Sequence, residues 1–68
     1  MYKMMSEREL INGDWYYYLR ASGKWHVYVY ISATGMHKIA ENLPSLSDAK
    51  VIAHKFAKLQ EEINNAMV

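Results

Sequence analysis

Apolar and polar residues alternate without a break from Lys24 to Ile31. Side chains of a strand point to the two faces of a sheet in turn. Trp25, Val27, Val29 and Ile31 therefore form one apolar face, and Lys24, His26, Tyr28 and Tyr30 form an aromatic and basic one. β-branched and aromatic residues also favour strands, so this stretch predicts the central strand of the fold. A second alternation runs over Asp14–Arg20, with Trp15, Tyr17 and Leu19 on one side and Tyr16, Tyr18 and Arg20 on the other. The apolarity of Trp and Leu assigns the first set to the interior. Ala21-Ser22-Gly23 reads as a connection of hairpin length, and Ser32–Gly35 as a further turn. A shorter strand is predicted over Met36–Glu41, with Ile39 inward and Lys38 and Ala40 outward. The pattern describes an antiparallel meander over 14–41, covered on one face only.

The period then changes. Asn42-Leu43-Pro44 ends the strand pattern, and Ser45 or Ser47 can cap a helix, with Asp48 at the third position after Ser45. Ala49, Ile52, Ala53, Phe56, Leu59 and Ile63 recur at helical spacing, with Lys50, His54, Lys55, Lys58, Glu61 and Glu62 on the opposite side. The predicted helix, 45–66, is ~30 Å long, against ~23 Å for a seven-residue strand. It should overhang the sheet and expose Ile63 and Met67, a place for a second copy to dock. Before the sheet, Met1–Met5 carries no period and is expected to be loosely held. Ser6–Leu10 has two readings. Ser6 and Glu9 can form a capping box with Met5 and Leu10 as staple, giving a short helix ended by Asn12-Gly13. Arg8–Ile11 can instead be a strand, with Asn12-Gly13 as a type I′ turn. The expected fold is one α+β domain. It comprises a short N-terminal helix, a three-stranded antiparallel meander and one long C-terminal α-helix packed across it.

Sixty-eight residues make a small domain, burying only ~60% of the surface its unfolded chain exposes. The chain has no cysteine, which excludes disulfides and thiolate metal sites and suits a cytoplasmic location. No apolar run approaches the ~20 residues of a membrane span, and no secretory pattern opens the sequence. Eight Lys and Arg against seven Asp and Glu give a net charge of +1. Charge can steer binding here only by local clustering. Six Tyr and two Trp against one Phe indicate a sheet face that stays partly wet.

Little in the sequence supports catalysis. His26, His37 and His54 lie on different elements without ligand spacing, and each reads as a solvent-facing or edge residue. Ser22-Gly23 and Thr34-Gly35 are isolated turn glycines, not a phosphate loop. No enzyme activity, metal or cofactor is expected. The candidate binding surface is the uncovered sheet face, formed by Tyr16, Tyr18, Arg20, Lys24, His26, Tyr28 and Tyr30 with Lys38 from the last strand. Rings supply flat area for stacking on bases, and Arg and Lys supply charge for phosphates. The helical cluster Lys50, His54, Lys55 and Lys58 reads as a solvated face. Its cations precede Glu61 and Glu62, against the preference of the helix dipole.

Gly13-Asp14-Trp15-Tyr16-Tyr17-Tyr18, Ser22-Gly23-Lys24-Trp25 and Leu46-Ser47-Asp48-Ala49-Lys50 together resemble a known pattern. It is that of the three-stranded-sheet-plus-helix DNA-binding domains of the AP2 and integrase arm-binding type, found in recombinases of phages and conjugative transposons. The resemblance covers residues 12–60 and implies DNA contact through Tyr16, Tyr18, Arg20, Lys24, His26, Tyr28 and Tyr30. The chain is less basic than such domains, which favours two other classes. One is a phage-encoded inhibitor that binds a host protein through the same tyrosine-rich face. The other is a homodimer packed through that face. DNA binding stands first among these expectations.

Overall fold

The computed structural model describes residues 5–66, with side chains from Glu7 onward. The fold is α+β: four antiparallel strands in the order β1-β2-β3-β4, followed by one helix. The strands are β1 (Met5–Ile11), β2 (Asp14–Ala21), β3 (Lys24–Ile31) and β4 (Gly35–Leu43), and the helix is α1 (Leu46–Ala66). The sheet therefore has one strand more than expected, because residues 5–11 pair along β2 instead of forming a short helix. A helix of seven residues has little stability of its own, whereas a strand there satisfies the open backbone edge of β2. Asn12 at φ 52° and Gly13 at φ 88° supply the two left-handed residues that a type I′ turn requires. The expectation for Met1–Met5 falls almost wholly outside the described residues, as does Met67.

The second turn decides which face of β2 is buried. Ser22 (φ 54°) and Gly23 (φ 74°) form a two-residue loop, so Ala21 pairs with Lys24, Leu19 with His26, Tyr18 with Val27 and Tyr16 with Val29. Residues directly opposite each other share a face. With Val27 and Val29 turned inward, Tyr16 and Tyr18 must turn inward too. All four are buried, at 1% exposure or less. A three-residue connection would have slipped the register by one and buried Trp15, Tyr17 and Leu19 instead. Trp15 is in fact 37% exposed, and Tyr17 and Leu19 are half-buried on the other face.

At the far edge, register shifts in the β3–β4 ladder between Trp25 and Tyr28 mark a β-bulge. It carries both Ile39 and Ala40 toward the core, where they pack with Trp25, Ile31 and Leu43. Ala40 was expected to point outward; an extra residue in one strand resets its alternation. Ser45 caps α1 as predicted. Its Oγ accepts from the Asp48 backbone N–H at 3.2 Å and donates to the Asp48 carboxylate at 2.9 Å. The helix lies on β2, β3 and β4.

Ala49, Ala53 and Ala57 recur every four residues on one line of α1 and are 2% exposed or less. Together with Tyr16, Tyr18, Val27 and Val29 they make one buried cluster. The small helix residues accommodate large tyrosines from the sheet. Phe56 flanks the cluster, with its ring edge-on to Tyr16 at 6.3 Å between centroids. Leu59, read as part of the helix's apolar face, is 57% exposed, and Ile63 is 51% exposed, as an overhanging helix end predicts. Ala53→Leu is expected to force α1 off the sheet and cost ~1–3 kcal/mol. The thermal midpoint followed by circular dichroism should fall by about 4–8 °C per kcal/mol; an unchanged midpoint would refute close packing at this line.

Candidate functional site

The uncovered sheet face is built by all four strands. From β2 it takes Trp15, Tyr17 and Leu19, and from β3 Lys24, His26, Tyr28 and Tyr30. Arg8 and Leu10 of β1 stand opposite Tyr17 and Trp15, and Met36 and Lys38 of β4 stand opposite Tyr30 and Tyr28. Trp15 faces Tyr30 and Tyr17 faces Tyr28, so the four rings form two cross-strand rows, about 7 Å apart along the strands. Leu10 (56%), Trp15 (37%), Tyr30 (43%) and Met36 (53%) are exposed. This is a contiguous aromatic and apolar surface on a protein that buries few large side chains.

Cations are stacked on these rings. The Arg8 guanidinium carbon lies 4.7 Å from the centre of a Trp15 ring, and Lys38 Nζ lies 5.9 Å from that of Tyr28. Both distances fall within cation–π range. Lys38 also donates to the Glu41 carboxylate at 2.9 Å. That bond holds the Lys38 ammonium above its usual pKa and the Glu41 carboxyl below its own, with their mutual attraction adding to both.

The other face gathers the acids. Glu7 lies 4.0 Å from Lys50 of α1. Glu9 accepts from the Tyr18 hydroxyl at 2.7 Å and lies 3.2 Å from His54 Nε2. The Tyr18 bond, followed by the charge and hydrogen bond of His54, lowers the Glu9 carboxyl despite partial desolvation. Burial, then the Glu9 bond and charge, pushes the Tyr18 phenol far up. Asp14 lines a polar groove with Asn12, Gln60 and Asn64 at the end of α1. Asp48 sits in the first turn of the helix, and Glu61 and Glu62 near its end. Glu41 is thus the one carboxylate among the described residues on the open face, which it shares with Arg8, Lys24 and its partner Lys38. Among the described residues, the sheet face that no helix covers thus carries three cations against one carboxylate, and acids outnumber cations elsewhere.

The predicted site residues separate into two groups. Lys24, His26, Tyr28, Tyr30 and Lys38 share the open face as expected. Tyr16 and Tyr18 do not: both are buried beneath α1. Arg20 pairs with Trp25 on the helix-covered side and is exposed there. All three follow from the two-residue loop at Ser22-Gly23, which turns the even-numbered residues of β2 inward. Trp15, Tyr17, Leu19, Arg8 and Leu10 take their place. The first three were legible from the length of that loop, and the last two from Asn12-Gly13 read as a hairpin. The histidines stay apart: His26 is on the open face, His37 lies 2.6 Å from Thr34 Oγ1 at the β3–β4 turn, and His54 is beside Glu9.

No protein-family model matches the chain, and neither the curated proteins nor the solved structures contain a significant match.

Proposed function

We propose that this protein is a non-enzymatic nucleic-acid-binding module that grips a strand of DNA on its open sheet face. One observation carries the reading: exposed rings and three cations share that face with a single carboxylate, while the other described acids lie elsewhere. Stacking on aromatic rings requires bases with a free π-face, which favours unpaired over duplex DNA. Trp15, Tyr17, Tyr28 and Tyr30 are the stacking residues in this reading. Arg8, Lys24 and Lys38 neutralise phosphates. Arg8 over Trp15 and Lys38 over Tyr28 place charge beside ring before any ligand arrives.

The test is fluorescence anisotropy with labelled single-stranded and duplex DNA over a salt series. Single-stranded DNA should bind more tightly. Trp15→Ala and Tyr30→Ala should each lose ~1–3 kcal/mol of affinity, or about tenfold and upward. Lys24→Ala should lower the slope of log affinity against log salt by about 0.7. Both rings are exposed, so circular dichroism should confirm an unchanged fold. The apolar rim of Leu10, Leu19 and Met36 favours a second reading, a protein partner. A salt-insensitive complex with a protein, and none with DNA, would replace the first reading by that one.

A further inference from the structure

The helix carries an apolar stripe that the sheet covers only in part. Ile52, Phe56, Leu59 and Ile63 follow one another at intervals of four, three and four residues, the spacing of a coiled-coil seam. At 100° per residue this stripe lies about a quarter-turn from the line of Ala49, Ala53 and Ala57 that meets the sheet. Ile52 and Phe56 are half-buried, whereas Leu59 and Ile63 stand more than half exposed. Below Phe56 the apolar surface continues as a groove through Ile31 and Ile39 toward β4.

The charges beside the stripe say what fits it. Lys55 and Glu62 flank it on the side turned away from the sheet. The Lys55–Lys58 half of α1 is basic and the Glu61–Glu62 half acidic, with no basic residue in the last turn. For an isolated helix that order is the unfavourable one. For two copies lying antiparallel it is complementary. Setting Ile52 level with Ile63 of a second copy, and Phe56 with its Leu59, brings Lys55 to within about 3 Å along the axis of the copy's Glu62. The two-fold axis repeats that pair, as a self-complementary interface demands.

We infer that α1 is a homodimerisation helix. Two copies pair antiparallel through Ile52, Phe56, Leu59 and Ile63, with Lys55 of each copy meeting Glu62 of the other. The two-fold axis that relates antiparallel helices is normal to the plane containing them. The stripe points sideways, so this plane runs along the sheet, and both open faces look the same way. Dimerisation therefore leaves the proposed DNA surface free and doubles it.

Sedimentation velocity on the full chain, from micromolar to near-millimolar concentration, tests the inference. A reversible monomer–dimer equilibrium is expected. Leu59→Glu should weaken it about tenfold or more with an unchanged circular dichroism spectrum, since that residue is largely exposed. Lys55→Glu and Glu62→Lys should each weaken it, and the exchanged double variant K55E/E62K should recover most of the loss. A chain that remains monomeric, a dimer indifferent to Leu59→Glu, or a double variant no better than the single ones would overturn the inference. DNA affinity of the wild-type monomer at low concentration is measured separately, so each conclusion can fail alone.

Discussion

Tyr18→Ala is expected to unfold the domain. The ring is fully buried at the centre of the sheet, opposite Val27 and beneath the alanine line of α1. Its hydroxyl reaches past the core to Glu9 on β1. Removing a buried aromatic side chain costs ~3–5 kcal/mol. A single core in a domain of this size supplies roughly that much stability in total. The variant should lose its native circular dichroism spectrum and its cooperative thermal transition. Tyr18→Phe keeps the ring and loses only the hydrogen bond, a change of ~1 kcal/mol, so it should melt cooperatively at a lower midpoint. A Tyr18→Ala protein that melted like wild type would remove Tyr18 from the core and the architecture with it.

Alkali should unfold the protein through the same residues. Burial raises the phenol pKa of both Tyr16 and Tyr18, reinforced by Asp14 at the first and by Glu9 at the second. In the unfolded chain each titrates near its ordinary value of about 10. A group whose pKa is raised on folding contributes stability that is complete below the unfolded value and lost as pH climbs above it. Between the unfolded and folded values each tyrosine withdraws about 1.4 kcal/mol per pH unit. With both withdrawing stability as pH climbs above about 10, a domain stable by only a few kcal/mol should unfold in alkali. Circular dichroism and tyrosinate absorbance should report that transition together, and Tyr18→Phe should shift it to higher pH relative to that variant's own neutral stability. Exposed tyrosines ionising with no change in circular dichroism up to pH ~12 would contradict the burial of this pair.

The sequence announced the central strand, the helix and its cap through patterns that leave little choice. Val27 and Val29 alternate with polar neighbours, and Ser45 stands three residues before Asp48. The phase of β2 was harder, because both of its alternate sets are aromatic. Trp15-Tyr17-Leu19 looks more apolar than Tyr16-Tyr18-Arg20, yet a buried tyrosine whose hydroxyl finds Glu9 costs little. Pairing outvoted hydropathy: the Ser22-Gly23 loop tied the phase of β2 to the unambiguous β3. β1 was masked differently. Ser6 and Glu9 mimic a helix start, and only the left-handed geometry of Asn12-Gly13 and the unpaired edge of β2 favour a strand. Five of the eight residues proposed for the site, Lys24, His26, Tyr28, Tyr30 and Lys38, do share a face, because four of them sit on β3 and the fifth pairs with it. Those drawn from β2 fell with its phase.

The two rims of the sheet share one further property. β1 presents Glu7, Arg8 and Glu9 in succession along its length, and β4 is bent by its bulge with Lys38 beside it. An unpaired strand edge invites a neighbouring chain to add itself, and ionic side chains and bulges both discourage that. A small protein so rich in aromatic and β-branched strand residues would otherwise be a ready seed for fibrils. Its guarded rims work against open-ended stacking of one chain on the next.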